Sequence, residues 1–156
     1  MKTLIFTASI LLCSLVFAGA NERKAMKTAL KGIDEEVKWF YDDCGFKPKV
    51  TFEEKDLESF SSKDRTHSRV IFLAGAKCRD IVSSFRNYIC SDKEALKGLK
   101  EVSEIVCVPN KEALTVEQIS YKITIKDKKM TVLYDPINPD ASSVANKNKE
   151  IIKNLF

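Results

Sequence analysis

The chain has 156 residues, 26 basic against 22 acidic side chains, a formal net charge of +4 and 44% hydrophobic residues. That length suits one domain, and the hydrophobic share is enough for one modest core. Lysines scattered among acids give no concentrated positive field of the kind that binds nucleic acid, and no apolar run reaches the roughly 20 residues a membrane-spanning helix needs.

The chain opens with Lys2, an apolar run of about 14 residues from Leu4 to Phe17, then Ala18-Gly19-Ala20 ahead of polar Asn21-Glu22-Arg23-Lys24. A positive start, a short apolar stretch and a small-x-small site are the parts of a secretory signal peptide, so cleavage is expected after Ala20. Residues 1–20 then form a leader that carries Cys13 away with it, and residues 21–156 form a single disulfide-stapled domain. Export points to a secreted or periplasmic destination. In such an oxidising compartment the remaining cysteines, Cys44, Cys78, Cys90 and Cys107, read as staples and not as thiols or metal ligands.

Met26, Leu30, Ile33, Val37 and Phe40 fall at helical spacing, and Cys44 extends the stripe, which predicts a first helix over 22–44. Asn21 is the expected cap, Gly45 the expected left-handed residue past its end, and Pro48 stands where a helix does not continue. A short strand follows over Lys49 to Glu53. Glu54 to Thr66 reads as a surface loop with one helical turn, anchored by Leu57 and Phe60, and His67, the single histidine, reads as an exposed polar residue near a helix start. From Ser68 the stripe Ile71, Ala74, Cys78, Ile81, Phe85 and Ile89 predicts a second long helix, although Val70-Ile71-Phe72-Leu73 also suits a strand. Ser91-Asp92-Lys93-Glu94 has capping-box spacing and opens a third helix with Ala95, Leu96 and Leu99 on its apolar face.

Ile105 to Val108 reads as a buried strand stopped by Pro109-Asn110. Ile119, Tyr121, Ile123 and Ile125 alternate with polar residues, and a partner strand runs from Met130 to Tyr134 across a charged turn at Lys126-Asp127-Lys128-Lys129. Asn138-Pro139 opens a last helix whose face is Val144, Ile151, Ile152 and Leu155. Strands and helices are segregated more than alternated. The expected fold is therefore α+β: an antiparallel sheet of about four strands, the last three a meander, covered on one face by helices.

Four cysteines allow three pairings. Cys78 and Cys90, twelve residues apart on one helix, would be separated by about 18 Å, against ~5.5 Å between bridged Cα atoms, which removes that pairing. A strand returning antiparallel from the third helix favours Cys90–Cys107 with Cys44–Cys78. The alternative is Cys44–Cys90 with Cys78–Cys107.

Motifs of catalysis are missing from the sequence: it holds no Cys-x-x-Cys, Gly-x-Ser-x-Gly, phosphate-cradling Gly-x-x-x-x-Gly-Lys or Ser-x-x-Lys. One histidine does not supply the imidazoles of the usual zinc sites, and no cofactor is expected. Asp34-Glu35-Glu36 and Asp42-Asp43 read as a solvated face of the first helix; a carboxylate pair of a hydrolase is the sharper alternative. Asp135, Asn138 and Asp140 lack the spacing of a calcium hand and read as cap and turn. Trp39-Phe40-Tyr41 puts three rings on consecutive helical positions, where they cannot all face inward, so Trp39 and Tyr41 are the candidate contact surface.

The stretches Ala74-Gly75-Ala76-Lys77-Cys78, Tyr88-Ile89-Cys90-Ser91-Asp92 and Ile105-Val106-Cys107, with the strand hairpin and Ile151-Ile152-Lys153-Asn154-Leu155 after them, resemble small secreted cysteine-containing proteins of predatory proteobacteria. The resemblance spans about residues 74–156 and rests on the spacing Cys-x11-Cys-x16-Cys with its hydrophobic pattern. It implies export, carries no activity or site residues to transfer, and leaves Cys44 outside it. The expectation is an exported non-enzymatic protein that binds another macromolecule or an envelope component, an inhibitor or immunity-like role included. The alternative is a small exported hydrolase using paired carboxylates.

Overall fold

Ala29, Ile33, Glu36, Val37 and Phe40 recur at three- and four-residue intervals and turn one stripe of the first helix inward, as the 3.6-residue period requires. This helix, α1 (Ala20–Cys44), belongs to a computed structural model that describes residues 19–111 and 122–137. Gly45 ends it in the left-handed conformation at φ 63°, its N–H donating to the Tyr41 carbonyl at 2.9 Å. Asn21 is not the cap: the helix begins two residues earlier than expected, with Gly19 as cap residue and the Glu22 carboxylate accepting from the Gly19 N–H. The expected leader lies almost wholly outside the described residues.

Strand β1 (Val50–Phe52) is followed by a single 3-10 turn, Leu57–Phe60, whose Leu57 and Phe60 are buried. Helix α2 (His67–Ile89) is capped by Thr66, whose hydroxyl accepts from the Arg69 N–H at 3.4 Å; Val70 to Leu73 are helical and not a strand. Helix α3 (Lys93–Glu101) is capped by Asp92 and not by Ser91. The Asp92 carboxylate accepts from the N–H groups of Glu94 and Ala95 at 3.0 and 3.1 Å, satisfying two of the free donors at the helix start. Then come β2 (Glu104–Pro109), β3 (Lys122–Lys126) and β4 (Lys129–Tyr134). The β3–β4 turn is Asp127-Lys128, both with positive φ, the geometry a two-residue hairpin needs. Ile119 and Tyr121, and the expected last helix, lie outside the described residues.

The fold is α+β, but the sheet is mixed and the expected meander is not formed. Strand order is β1-β2-β4-β3, with β1 and β4 both parallel to β2 and only β3–β4 antiparallel. The register sets Ile105 beside Met130 and Cys107 beside Val132. The physical reason lies in composition. Met130, Val132 and Tyr134 give β4 a buried face and draw it inside the sheet, whereas Lys122 and Lys126 suit β3 to the edge, where charge discourages further pairing. Central β2 buries Ile105, Val106 and Cys107 in succession and so is enclosed on both faces.

Helix α2 is the middle layer. It buries eleven residues, facing the sheet through Ala74, whose carbonyl accepts from the Tyr134 hydroxyl at 3.2 Å, and facing α1 through Gly75. Both disulfides start from this layer, as Cys78–Cys107 to the sheet and Cys44–Cys90 to α1, with Cα–Cα distances of 5.7 and 5.0 Å. The favoured pairing is thus overturned and its alternative realised. Contacts Ala29–Gly75, Glu36–Arg86 and Cys44–Cys90 advance together along α1 and α2, so the two helices run parallel and their C-terminal ends meet. Cys44 therefore reaches Cys90 at the end of α2, while mid-helix Cys78 faces the sheet.

Candidate functional site

The stripe next to the buried one on α1 carries Ala25, Thr28, Gly32, Glu35 and Trp39, and it borders Phe72, Ala76, Arg79 and Arg86 of α2. This side of the helix pair forms a shallow valley. Its depth comes from Gly75, which is packed so close to Ala29 that an added Cβ would lie 2.2 Å from the Ala29 Cβ. Two concavities that share Thr28 and Phe72 run along it, one from Asn21 and Thr66, the other as far as Glu35 and Arg79.

At the C-terminal end of the valley stands Trp39, 51% exposed, with the Arg86 guanidinium 5.7 Å from its ring centre. Arg86 is held in turn by two carboxylates of α1, Nε to Glu36 at 2.7 Å and Nη1 to Asp43 at 2.6 Å. Burial of the guanidinium disfavours its charge, but Asp43 and Glu36 outweigh that and raise its pKa above the ordinary arginine value. The Cys44–Cys90 bridge closes the helix ends beyond it. Trp39 is therefore an exposed ring on a fixed base, tied by ion pairs and a covalent bond.

Tyr41 is 55% exposed but stands two residues further along α1, about 200° around the helix, so it does not share the Trp39 face. The structure separates the candidate contact pair onto two flanks. All four candidate cysteines are bridged. The acids of α1 are not uniformly a solvated face: Asp34, Glu35 and Asp42 are exposed, whereas Glu36 is 3% exposed and belongs to the helix–helix interface. Its position between Ile33 and Phe40 on the apolar stripe was the signal for this. Arg86 and Phe72 were also missed. Arg86 lies at helical spacing between the buried Val82 and Ile89, a signal of the same kind as that for Glu36, and Phe72 lies beside the buried Ile71 with its own ring exposed.

His67 is half-buried as the first residue of α2, and its Nδ1 is enclosed without a hydrogen-bond partner, so it is not the exposed residue expected. Asp135 caps a turn by accepting from the Ile137 N–H at 2.9 Å, while Asn138 and Asp140 lie outside the described residues. Among the described residues no three His, Cys, Asp or Glu side chains gather as metal ligands do, and no helix is long and apolar enough to cross a membrane. Glu104 is the one described carboxylate with a clearly moved pKa. Lys49 at 2.8 Å and the Thr51 hydroxyl hold it below the usual carboxylate range, against the opposing effect of burial.

The chain matches no family model, no curated protein and no solved structure.

Proposed function

We propose that the chain is an exported, non-enzymatic protein that binds another macromolecule or an envelope component through the Trp39 side of the α1–α2 pair. The observation that carries this reading is the half-exposed indole of Trp39 held over Arg86, itself fixed by Glu36 and Asp43. An exposed tryptophan on a rigid base supplies large apolar area at little entropic cost, and tryptophan and arginine are the residue types that dominate binding energy at protein surfaces. The two disulfides support an oxidising destination, outside the cytoplasm.

An inhibitor or immunity-like role fits within this class, since either acts by occupying a partner. The hydrolase reading gains no support: the two acids that the fold brings to one place, Glu36 and Asp43, hold a guanidinium between them instead of facing a cleft. The experiment is affinity capture from an envelope extract with wild-type protein, Trp39→Ala and Tyr41→Ala side by side. A partner retained by wild type and lost on Trp39→Ala is the expected result. Equal retention by Trp39→Ala, or no specific partner with wild type, overturns the reading.

A further inference from the structure

The N-terminal half of the same valley, away from Trp39, is basic at its rim and apolar at its floor. Its lining includes Lys24 and Lys31 from α1 and Arg69 and Arg79 from α2, four cationic side chains against one acid, Glu35. Lys31 is partnered by Glu35 at 3.7 Å and Arg79 by Asp80 at 2.9 Å, both at exposed positions where such pairs bind weakly. Lys24 and Arg69 have no carboxylate partner among the described residues, and the Arg69 guanidinium lies 5.6 Å from the centre of the Phe72 ring. Phe72 is 41% exposed, one of the large hydrophobic side chains that the described residues leave open to solvent. Because α1 and α2 run parallel, the N-terminus of α2, with no acid in its first turn, also lies at this end and adds its positive dipole end to the field, whereas Glu22 offsets that of α1.

The shape adds a second constraint. The lined stretch of α1 runs from Asn21 to Glu35, about 20 Å at 1.5 Å per residue, and is bounded by two helices, in close approach at Gly75 and Ala29, with two adjoining concavities along the furrow between them. A furrow between side-by-side helices accepts a third helix, which would set apolar residues every three to four positions against Phe72, Ala25 and Ala76.

We infer that this furrow docks an acidic amphipathic helix of about four turns, presented by a partner protein, with Phe72 as the apolar anchor and Lys24 and Arg69 as its charge-matching rim. The inference rests on the reading of the helix pair as a binding face, but it assigns the partner's chemistry to a different half of that face than Trp39.

The test is selection of a displayed library of helical peptides on the purified, disulfide-bonded protein, followed by anisotropy titrations of the enriched peptides. The enriched sequences are expected to be net acidic with apolar residues at three- and four-residue spacing. Phe72→Ser, and separately Lys24→Glu with Arg69→Glu, should each weaken them by about tenfold, and Trp39→Ala should leave them unchanged. Neutral or basic enriched peptides, or binding unmoved by Phe72→Ser, overturn the inference. So does equal binding of unstructured polyglutamate, which would reduce the furrow to ion exchange, or a dimer in sedimentation that Phe72→Ser dissociates, which would make a second copy the occupant. Since the rim and anchor side chains are exposed, an unchanged circular dichroism spectrum checks that each variant is folded. Loss of envelope capture on Trp39→Ala with no effect of Phe72→Ser leaves the proposed function standing and removes only the furrow.

Discussion

Gly75 and Ala29 fix the distance between the two long helices: a Cβ on Gly75 would fall 2.2 Å from the Ala29 Cβ and 2.9 Å from its Cα. Glycine in mid-helix ordinarily costs about 1 kcal/mol relative to alanine, so the close contact must outweigh that preference. Gly75→Ala is expected to destabilise by about 1–3 kcal/mol through overpacking, despite its better helix propensity. Adding Ala29→Gly should recover part of the loss. Urea denaturation of the single and double variants reads both effects.

Arg86 and Glu36 form an ion pair in which the acid is 3% exposed and the base 20%. Arg86→Met leaves the Glu36 charge buried and is expected to cost about 3–5 kcal/mol. Combining it with Glu36→Leu should restore most of the stability, because the uncompensated charge is then gone. Asp43, 51% exposed, contributes through the same guanidinium from the solvent side, and Asp43→Asn should cost about 1 kcal/mol or less. A double-mutant cycle in urea checks the contrast.

The depressed pKa of Glu104 links stability to pH with a definite sign. The unfolded chain takes up this proton more readily than the folded one, so the contribution is present above the unfolded carboxylate pKa and is lost as pH falls through the folded value. Wild type is therefore expected to exceed Glu104→Gln in unfolding free energy near about pH 7, with the gap closing below about pH 4. High salt should narrow it too, as Lys49 is 70% exposed. A gap that stays constant across this range would show that Glu104 acts through packing alone.

Bridges 44–90 and 78–107 differ in access, since Cys78 and Cys107 are fully buried whereas Cys44 and Cys90 are partly exposed. Mild reductant on the native protein should open Cys44–Cys90 first, and thiol labelling should then mark Cys44 and Cys90 alone. With sequence separations of 46 and 29 residues, the chain-entropy account gives each bridge about 4 kcal/mol. Mass spectrometry of non-reduced digests should recover these two pairs and no Cys90–Cys107 peptide.

Helices were legible because each carries a sustained apolar stripe with punctuation at its end, as with Val37 and Phe40 before Gly45. Strand positions were legible from alternation and from Pro109, although Pro109 is the last residue of β2, paired with Tyr134, and does not stop the strand before it. Sheet order was not, because adjacency depends on a long-range choice between β3 and β4 for the place beside β2. The lysines of β3 were the cue that it belongs at an edge. The cysteine pairing failed for a related reason: it was argued from the local return of β2 along α3, whereas the long-range parallel packing of α1 on α2 brings Cys44 to Cys90 and leaves mid-helix Cys78 to the sheet. At the candidate site, Trp39 was visible as a ring with no inward place, but Arg86 beneath it became apparent only once α1 and α2 were set side by side.

The order of the bridged cysteines along the chain, 44 to 90 and 78 to 107, makes the two covalent loops overlap instead of following one another. A single backbone cut anywhere between Cys44 and Cys107 is then spanned by at least one of the bridges. Under the consecutive pairing, a cut between Cys78 and Cys90 would release two unconnected pieces. As built, one proteolytic nick in that whole stretch leaves both fragments on the same molecule, with α1, α2 and β2 still tethered and able to close again.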